Sequence, residues 1–376
     1  MTKKIFIISG EYSGNIHASN VVKELHNIGS DVEIEGIGGD DLSSCGVKLF
    51  EHIKNLSSVG ISPQILIKHI KLGKALIKYL KEDFKPDLVL LIDYGGFNLT
   101  IAKYLKEIGT KIYYYIPPQV WASRKYRIKR IKKYVDKVLC IFPFEPKLYS
   151  SYGIENHYCG HPLISQLPSP AGRISFFKAH GFDTERKLIS IFPGSREFEL
   201  RNLMPVFINT AKILQKRHPE LQFCISHAPN LQDEVFDKYL DSSSNLKIIK
   251  GENQALLSVS DALILASGTV ALEACLYKTP MIIAYRGPKI LYWIYLLVRC
   301  IKRVSLPNII ADKSIIPEII EDDVKPEIIA DEIEKILYDE NARKNMVDEL
   351  SKVKNLLSSK NSALEVAKII DTELSL

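Results

Sequence analysis

The sequence predicts an α/β protein made of two Rossmann-like parallel-sheet halves facing a cleft, closed by C-terminal helices. Three observations predict it. Short apolar runs alternate with helical patterns along the chain, as strands joined by helical crossovers do. The alternation breaks near residues 161–187, at the proline-rich "HPLISQLPSPAG", and then restarts. The length, 376 residues, is enough for two separate cores.

Taken in order, "KIFIISG" is the first strand; its apolar run stops at Ser9 and Gly10, too short for a signal peptide. Residues 14–27 follow with helical spacing, then the strand "VEIEGIGG" and a helix over 63–82. "DLVLLID" is apolar throughout, as a strand covered on both faces must be, and "NLTIAKYLKEIG" is its helix. "KIYYYI" and "KVLCIF" complete the first half. The second half runs "KLISIFPGS", a helix over 198–217, "QFCISHA", "LKIIKG", "DALILAS", a helix over 269–277 and "PMIIAYR". Helical patterns over 326–338, 340–358 and 361–374 end the chain. The expected domains are therefore 1–165, 166–345 and a helical segment 346–376.

Composition narrows the function. With 46% hydrophobic and 25% charged residues the chain has an ordinary soluble balance. A net charge of +6 suits an anionic substrate or membrane surface and is too small to imply nucleic acid. Cys45, Cys140, Cys159, Cys224, Cys275 and Cys300 form no C-x-x-C pair and no metal spacing, so buried thiols in a reducing cytoplasm are expected. The longest uncharged apolar run, "ILYWIYLLV" from Ile290 to Val298, falls short of a membrane span. The expectation is a soluble or peripheral protein.

Ligands of open parallel sheets sit at the carboxyl ends of strands. Four such ends stand out: "SGEYSGN", "DYGGFN", "PGSRE" and "SGT". In "ASGTVALE", Ser267, Gly268 and Thr269 open a helix; Gly268 admits a close backbone approach, Thr269 can cap, and free N–H groups there favour a phosphate. In "FPGSRE", Gly194 and Ser195 make a similar turn and Arg196 adds a positive fork. Each alone is equally an ordinary capped turn; two at one cleft favour a diphosphate. Glu273 can accept from ribose hydroxyls or serve the helix dipole. Asp93, at the tip of a buried strand beside Gly95 and Gly96, is placed for a general base or for a turn. No Asp-x-Asp, Walker A or G-x-G-x-x-G motif occurs, so neither a metal-held nucleotide nor a bound cofactor is expected.

Two stretches concern location. Lys68, Lys71, Lys74, Lys78 and Lys81 form one stripe of a helix, with Ile65, Leu66, Ile70, Leu72, Ile77 and Leu80 around it. Such a helix can lie on an anionic bilayer or be a solvated surface helix. "SRKYRIKRIKKYVDK" holds eight basic residues between Arg124 and Lys137, suiting RNA, a phosphate-bearing lipid or solvent.

Together these motifs resemble the lipid-A-disaccharide synthase family, whose fold is GT-B. The match runs nearly the whole length, in order: "GEYSGNIHA", "GIGG", "VGI", "KPDLVLLIDYGGFN", "YYIPPQVWA", "PFE", "GHPL", "FPGSRE", "ASGTVALEACL", "YR" and "VSLPN". The resemblance implies an inverting glycosyltransferase with donor UDP-2,3-diacylglucosamine and acceptor 2,3-diacylglucosamine 1-phosphate, acting peripherally at the cytoplasmic face of the inner membrane. It implies Asp93 as base and Arg196 as the diphosphate's cation. Gly194, Ser195, Ser267, Gly268, Thr269, Glu273 and Asn308 would hold UDP. Glu11, Ser13, Gly14, Asn15, Phe97, Asn98, Gln119 and Trp121 would shape the acceptor side and cleft wall. No cofactor or metal is implied. A homodimer is, with the C-terminal helices packed back or exchanged.

The chain departs from the family at Asn15 (usually Asp), Gly95 (often Pro), Ser123 (usually Trp) and Glu321 (often Gln). Asn15 removes a charge near the expected acceptor, so the base role rests on Asp93 alone. The competing readings are another UDP-N-acetylglucosamine enzyme, a peptidoglycan glycosyltransferase or a 2-epimerase, and more remotely a basic RNA- or lipid-binding protein without catalysis.

Overall fold

A computed structural model describes residues 2–56, 63–239, 246–287 and 303–375. The "VGI" stretch, the apolar segment Ile290–Val298 and Cys300 lie outside the described residues. The chain forms two units, Met1–Ser165 with Leu357–Leu376, and Gln166–Leu356.

The first unit runs β1 (Lys3–Ser9), α1 (Tyr12–Asn27), β2 (Val32–Gly38), α2 (Asp40–Ser43), β3 (Lys48–His52), α3 (Pro63–Tyr79), β4 (Leu88–Ile92), α4 (Gly95–Glu107), β5 (Lys111–Tyr115), α5 (Ile128–Tyr134), β6 (Lys137–Cys140), α6 (Glu145–Ser151), β7 (Asn156–Tyr158) and α7 (Leu163–Gln166). Its seven strands lie in the order β3-β2-β1-β4-β5-β6-β7, every pair parallel. All five side chains of β4 are fully buried, each contributing roughly 1.5–3 kcal/mol of apolar transfer. That two-sided burial is why the strand reads as one apolar run. α1 buries Gly14, Ala18, Val21, Val22 and Leu25, the 3.6-residue stripe of a helix lying on a sheet. α3 ends earlier than its pattern predicts. At Leu80 the chain widens into a π turn, Leu80–Phe84, that seats both Leu80 and Phe84 in the core and closes at Lys85 with φ +51°.

The second unit runs α8 (Arg173–His180), β8 (Leu188–Phe192), α9 (Glu197–Arg217), β9 (Gln222–His227), α10 (Asp233–Asp237), β10 (Lys247–Lys250), α11 (Asn253–Val259), β11 (Ala262–Ala266), α12 (Val270–Tyr277), β12 (Met281–Tyr285), α13 (Leu306–Ala311), β13 (Glu318–Ile320), α14 (Pro326–Tyr338) and α15 (Glu340–Leu357). Its sheet is also fully parallel, in the order β10-β9-β8-β11-β12-β13.

After α15 the chain rejoins the first unit as α16 (Ser362–Ser375). Val366, Ala367, Ile370 and Leu374 bury one face of α16. Ser30 Oγ donates to Asp371 Oδ1 at 2.6 Å, the Tyr115 and Ser362 hydroxyls meet at 2.7 Å, and Glu373 pairs with Lys111 and Tyr113. Among the described residues no helix is long and apolar enough to cross a membrane. Cys140, Cys159, Cys224 and Cys275 are buried free thiols.

Candidate active site

Each sheet grows outward in both directions from one pair of strands, and there the two connections leave a crevice between them. In the second unit that pair is β8 and β11, with Phe192 beside Leu265. The turns after them, "PGSR" and "SGT", line one cavity of about 370 Å³ that includes Gly194, Ser195, Arg196, Ser267, Gly268 and Thr269. Gly194 has φ +111°, and a Cβ there would fall 2.3 Å from Glu199 Oε2, so only glycine fits. At Gly268 a Cβ would meet nothing within 4 Å. The backbone is thus bare toward the cavity.

Thr269 does not cap α12 as expected. It is itself helical (φ −63°, ψ −25°) and its hydroxyl makes no capping bond, which leaves the first-turn N–H groups without a side-chain cap. Glu273 lies one turn further along and is not among the lining residues; burial raises its carboxyl pKa. Asn308 does not line the cavity either. It is fully buried, and its amide is used up: Oδ1 accepts from the N–H groups of Ile315 (2.7 Å) and Ile316 (3.0 Å), and Nδ2 donates to Ile316 O and Glu318 Oε1, both at 2.9 Å. It ties α13 to the strand that follows.

Three polar lining residues are not evident from the sequence: Glu199, Ser226 and Asn253. Ser226 donates to Asn253 Oδ1 at 2.5 Å, joining the end of β9 to the start of α11. Glu199 was visible in principle as an acidic residue three positions after Arg196, where its carboxylate can accept from the N-cap N–H; arginine, which only donates, cannot complete a capping box.

In the first unit the central pair is β1 and β4, with Ser9 beside Ile92. Asp93 and Tyr94 follow β4, both with φ +48°, a region that a tyrosine rarely occupies. Neighbours hold this strained corner. Asp93 O accepts from Tyr114 Oη (2.7 Å) and Asn98 Nδ2 (2.8 Å). Tyr94 Oη meets His69 Nε2 of α3 at 3.0 Å, and its ring covers Gly10, where a Cβ would come within 2.1 Å of it. Burial, and then the charge of Glu11, raise the Asp93 carboxyl to about 6; the Tyr94 N–H opposes them. Gly14 lies against the base of the Asp93 side chain, since a Cβ there would sit 3.9 Å from Asp93 Cβ. Glu11 and Ser13 are exposed at the start of α1, and Phe97 packs on the Tyr94 and His69 rings.

Three expected acceptor residues stand elsewhere or act indirectly. Asn98 is fully buried and serves the Asp93 backbone. Asn15 is 1% exposed; its Oδ1 accepts from Gly39 N–H and its Nδ2 donates to Asp41 Oδ2, both at 2.6 Å, so it clasps the "GIGG" loop. Trp121 is buried edge-on against Phe142 and Phe144 and donates to Glu145 Oε1 at 3.2 Å, whereas Gln119 is exposed. An indole makes the better core residue once a buried acceptor satisfies its N–H.

A family model described as "Lipid-A-disaccharide synthetase" matches residues 5–370. The chain is 33% identical to lipid-A-disaccharide synthase 1 of Legionella pneumophila over 99% of its own length and 97% of the relative's. It is 32% identical to the lipid-A-disaccharide synthase of Myxococcus xanthus over 98% and 96%. Among solved structures, a putative UDP-N-acetylglucosamine 2-epimerase from Listeria monocytogenes superposes with TM-score 0.68 at 12% identity, covering 100% of this chain and 97% of that one. The UDP-GlcNAc 2-epimerase of Neisseria meningitidis bound to UDP-GlcNAc gives 0.63 at 15% identity, covering 99% of both chains. Those two likenesses establish the two-sheet GT-B fold alone. The family match covers nearly the whole chain and includes both crevice motifs, so the chain belongs to the lipid-A-disaccharide synthetase family.

Proposed function

We propose that this enzyme transfers 2,3-diacylglucosamine from UDP-2,3-diacylglucosamine to the 6-hydroxyl of 2,3-diacylglucosamine 1-phosphate. Its family membership already makes it a glycosyltransferase of lipid A disaccharide synthesis. The observation that carries the finer reading is the complementary chemistry of the two crevices: a carboxylate of raised pKa in one unit, a cation beside bare backbone in the other.

With its pKa at about 6, Asp93 is ionised at neutral pH and still a usable base. It takes the proton of the acceptor 6-hydroxyl as that oxygen attacks the donor's anomeric carbon. The bond from that carbon to the diphosphate breaks, and UDP leaves from the opposite face, so the configuration inverts. The charge that develops on the diphosphate is met by Arg196 and by the first turn of α12. Ser195, Ser267, Gly268 and Thr269 surround it, and Glu273 is assigned to the ribose.

Both substrates carry acyl chains, so the reaction belongs at a bilayer surface. α3 suits that location: Ile67 and Ile70 are about half exposed among the exposed Lys68, Lys71, Lys74 and Lys78. Near the base, Arg127 would approach within 3.3 Å of a Cβ on Gly95, so the basic 124–137 stretch supports recognition of the acceptor's phosphate. The proposal includes a homodimer peripheral to the inner membrane, which rests on the family resemblance.

The test is incubation of the full chain with both lipids in detergent and EDTA. Equal amounts of disaccharide 1-phosphate and UDP are expected. Failure to make product while UDP still binds would reject the acceptor, and turnover of UDP-N-acetylglucosamine alone would instead favour an epimerase.

A further inference from the structure

We infer that Glu199 is the positioning residue of the diphosphate site, holding the 194–196 turn and aiming Arg196. The inference rests on the reading of Arg196 as the diphosphate's cation. Glu199 lies in the first turn of α9 with its carboxylate turned back onto the chain. Oε2 accepts from the N–H groups of Ser195 (2.9 Å) and Arg196 (3.3 Å), and Oε1 accepts from the Arg196 guanidinium at 3.2 Å. On the turn's other side, Asn230 Nδ2 donates to Ser195 O at 2.7 Å. Gly194 is the steric counterpart, since any side chain there would displace the carboxylate. The turn is therefore fixed through its N–H groups, its carbonyl and its shape.

This arrangement divides the donors of the site. The Ser195 and Arg196 N–H groups, which a phosphate-binding turn would normally offer, are already taken. What remains for the diphosphate is the rest of the Arg196 guanidinium, the lining hydroxyls and the start of α12 before Ala271, since the Ala271 and Leu272 N–H groups already donate to Gly268 O and Thr269 O. The Glu199 side chain is 15% exposed and that of Arg196 is 70% exposed, so the carboxylate is the anchored partner and the guanidinium the presented one. An arginine held at one nitrogen keeps its other N–H groups aligned for an anion.

The opposite possibility is that Glu199 is a stand-in anion that UDP displaces. The two readings predict opposite signs. If Glu199 is displaced, Glu199→Ala removes a competitor and UDP binds more tightly. If Glu199 positions Arg196, the same change weakens UDP binding by about tenfold, the usual cost of a misaligned charge-assisted hydrogen bond.

The experiment is UDP titration calorimetry on the full chain, with Glu199→Ala made alone and with Arg196→Ala. We expect the loss with Arg196 present and nearly none without it, because the residue acts through Arg196. Turnover should show a lowered kcat/KM for the UDP-sugar, kcat included because Arg196 meets charge that builds up as UDP leaves, with the acceptor KM little changed. Tighter or unchanged UDP binding in Glu199→Ala overturns the inference, and so does an equal loss in both backgrounds, which a purely structural residue would give. Glu199→Gln, which keeps a carbonyl for the two N–H groups, serves if the alanine variant does not fold, with the same outcomes read. If Arg196→Ala alone leaves UDP affinity intact, the diphosphate reading itself fails.

Discussion

Asn15→Asp, the residue that the family resemblance leads one to expect, should destabilise the first unit. The amide works as acceptor and donor at once: Gly39 N–H on one side, Asp41 on the other, each at 2.6 Å. An aspartate keeps the first bond and turns the second into two facing carboxylates. At 2.6 Å their repulsion is roughly 1.6 kcal/mol at the dielectric of water and about 6 kcal/mol at an effective 20. Asp41 is exposed and Asn15 is buried, so about 2–3 kcal/mol is expected at pH 7.5. That corresponds to a Tm lower by roughly 5–10 °C for a unit of this size. The sign with pH is fixed. The new pair has a carboxyl pKa raised above its unfolded value, so the penalty is absent below the unfolded pKa and complete once pH exceeds the folded one. The assay is thermal unfolding of wild type, Asn15→Asp and Asn15→Asp with Asp41→Lys, at pH 7.5 and near pH 5. The single variant should be weakest at pH 7.5, partly recovered at pH 5 and rescued by Asp41→Lys. An unchanged Tm at pH 7.5, or no rescue, would refute the reasoning.

Three other outcomes follow from the same structure. Glu11→Gln should move the acidic limb of the kcat/KM profile to lower pH, because Glu11 helps to raise Asp93 while burial keeps it elevated; a pH–rate comparison reads it. Burial puts the Glu145 carboxyl at about 7, so its favourable contribution is lost as pH rises through that value. Urea unfolding should therefore show the wild type losing about 2 kcal/mol from this group between pH 5.5 and 8.5, and Glu145→Gln losing less. Asn308→Ala strands two buried N–H groups and should cost about 2–5 kcal/mol of stability in the same assay, with UDP affinity of the folded protein unchanged.

The parallel strands were legible where both faces are covered, as in β4 and β11, whose residues are all buried. β3, β7 and β13 were not foreseen. They are edge strands such as "KLFEH" and "NHY", half exposed and of mixed polarity, so they carry no continuous apolar run. The two crevice motifs were legible because a chain leaving a buried strand toward a ligand needs glycine and small polar residues at known offsets. The roles of single amides were not. Asn15 finds Gly39 N–H 24 positions away, Asn98 turns back onto Asp93 O, and only the folded register decides whether an amide faces a ligand or the backbone. Trp121 misled for a similar reason: its partner Glu145 lies 24 positions downstream, and their bond takes the indole inward.

The proposed chemistry depends most directly on Asp93 as the base. The decisive measurement is single-turnover disaccharide formation by Asp93→Asn beside wild type, with UDP affinity measured on both. The Asp93→Asn rate should be lower by about 10²–10⁴ with UDP affinity unchanged, as loss of a general base requires. Equal rates in the two proteins would contradict it.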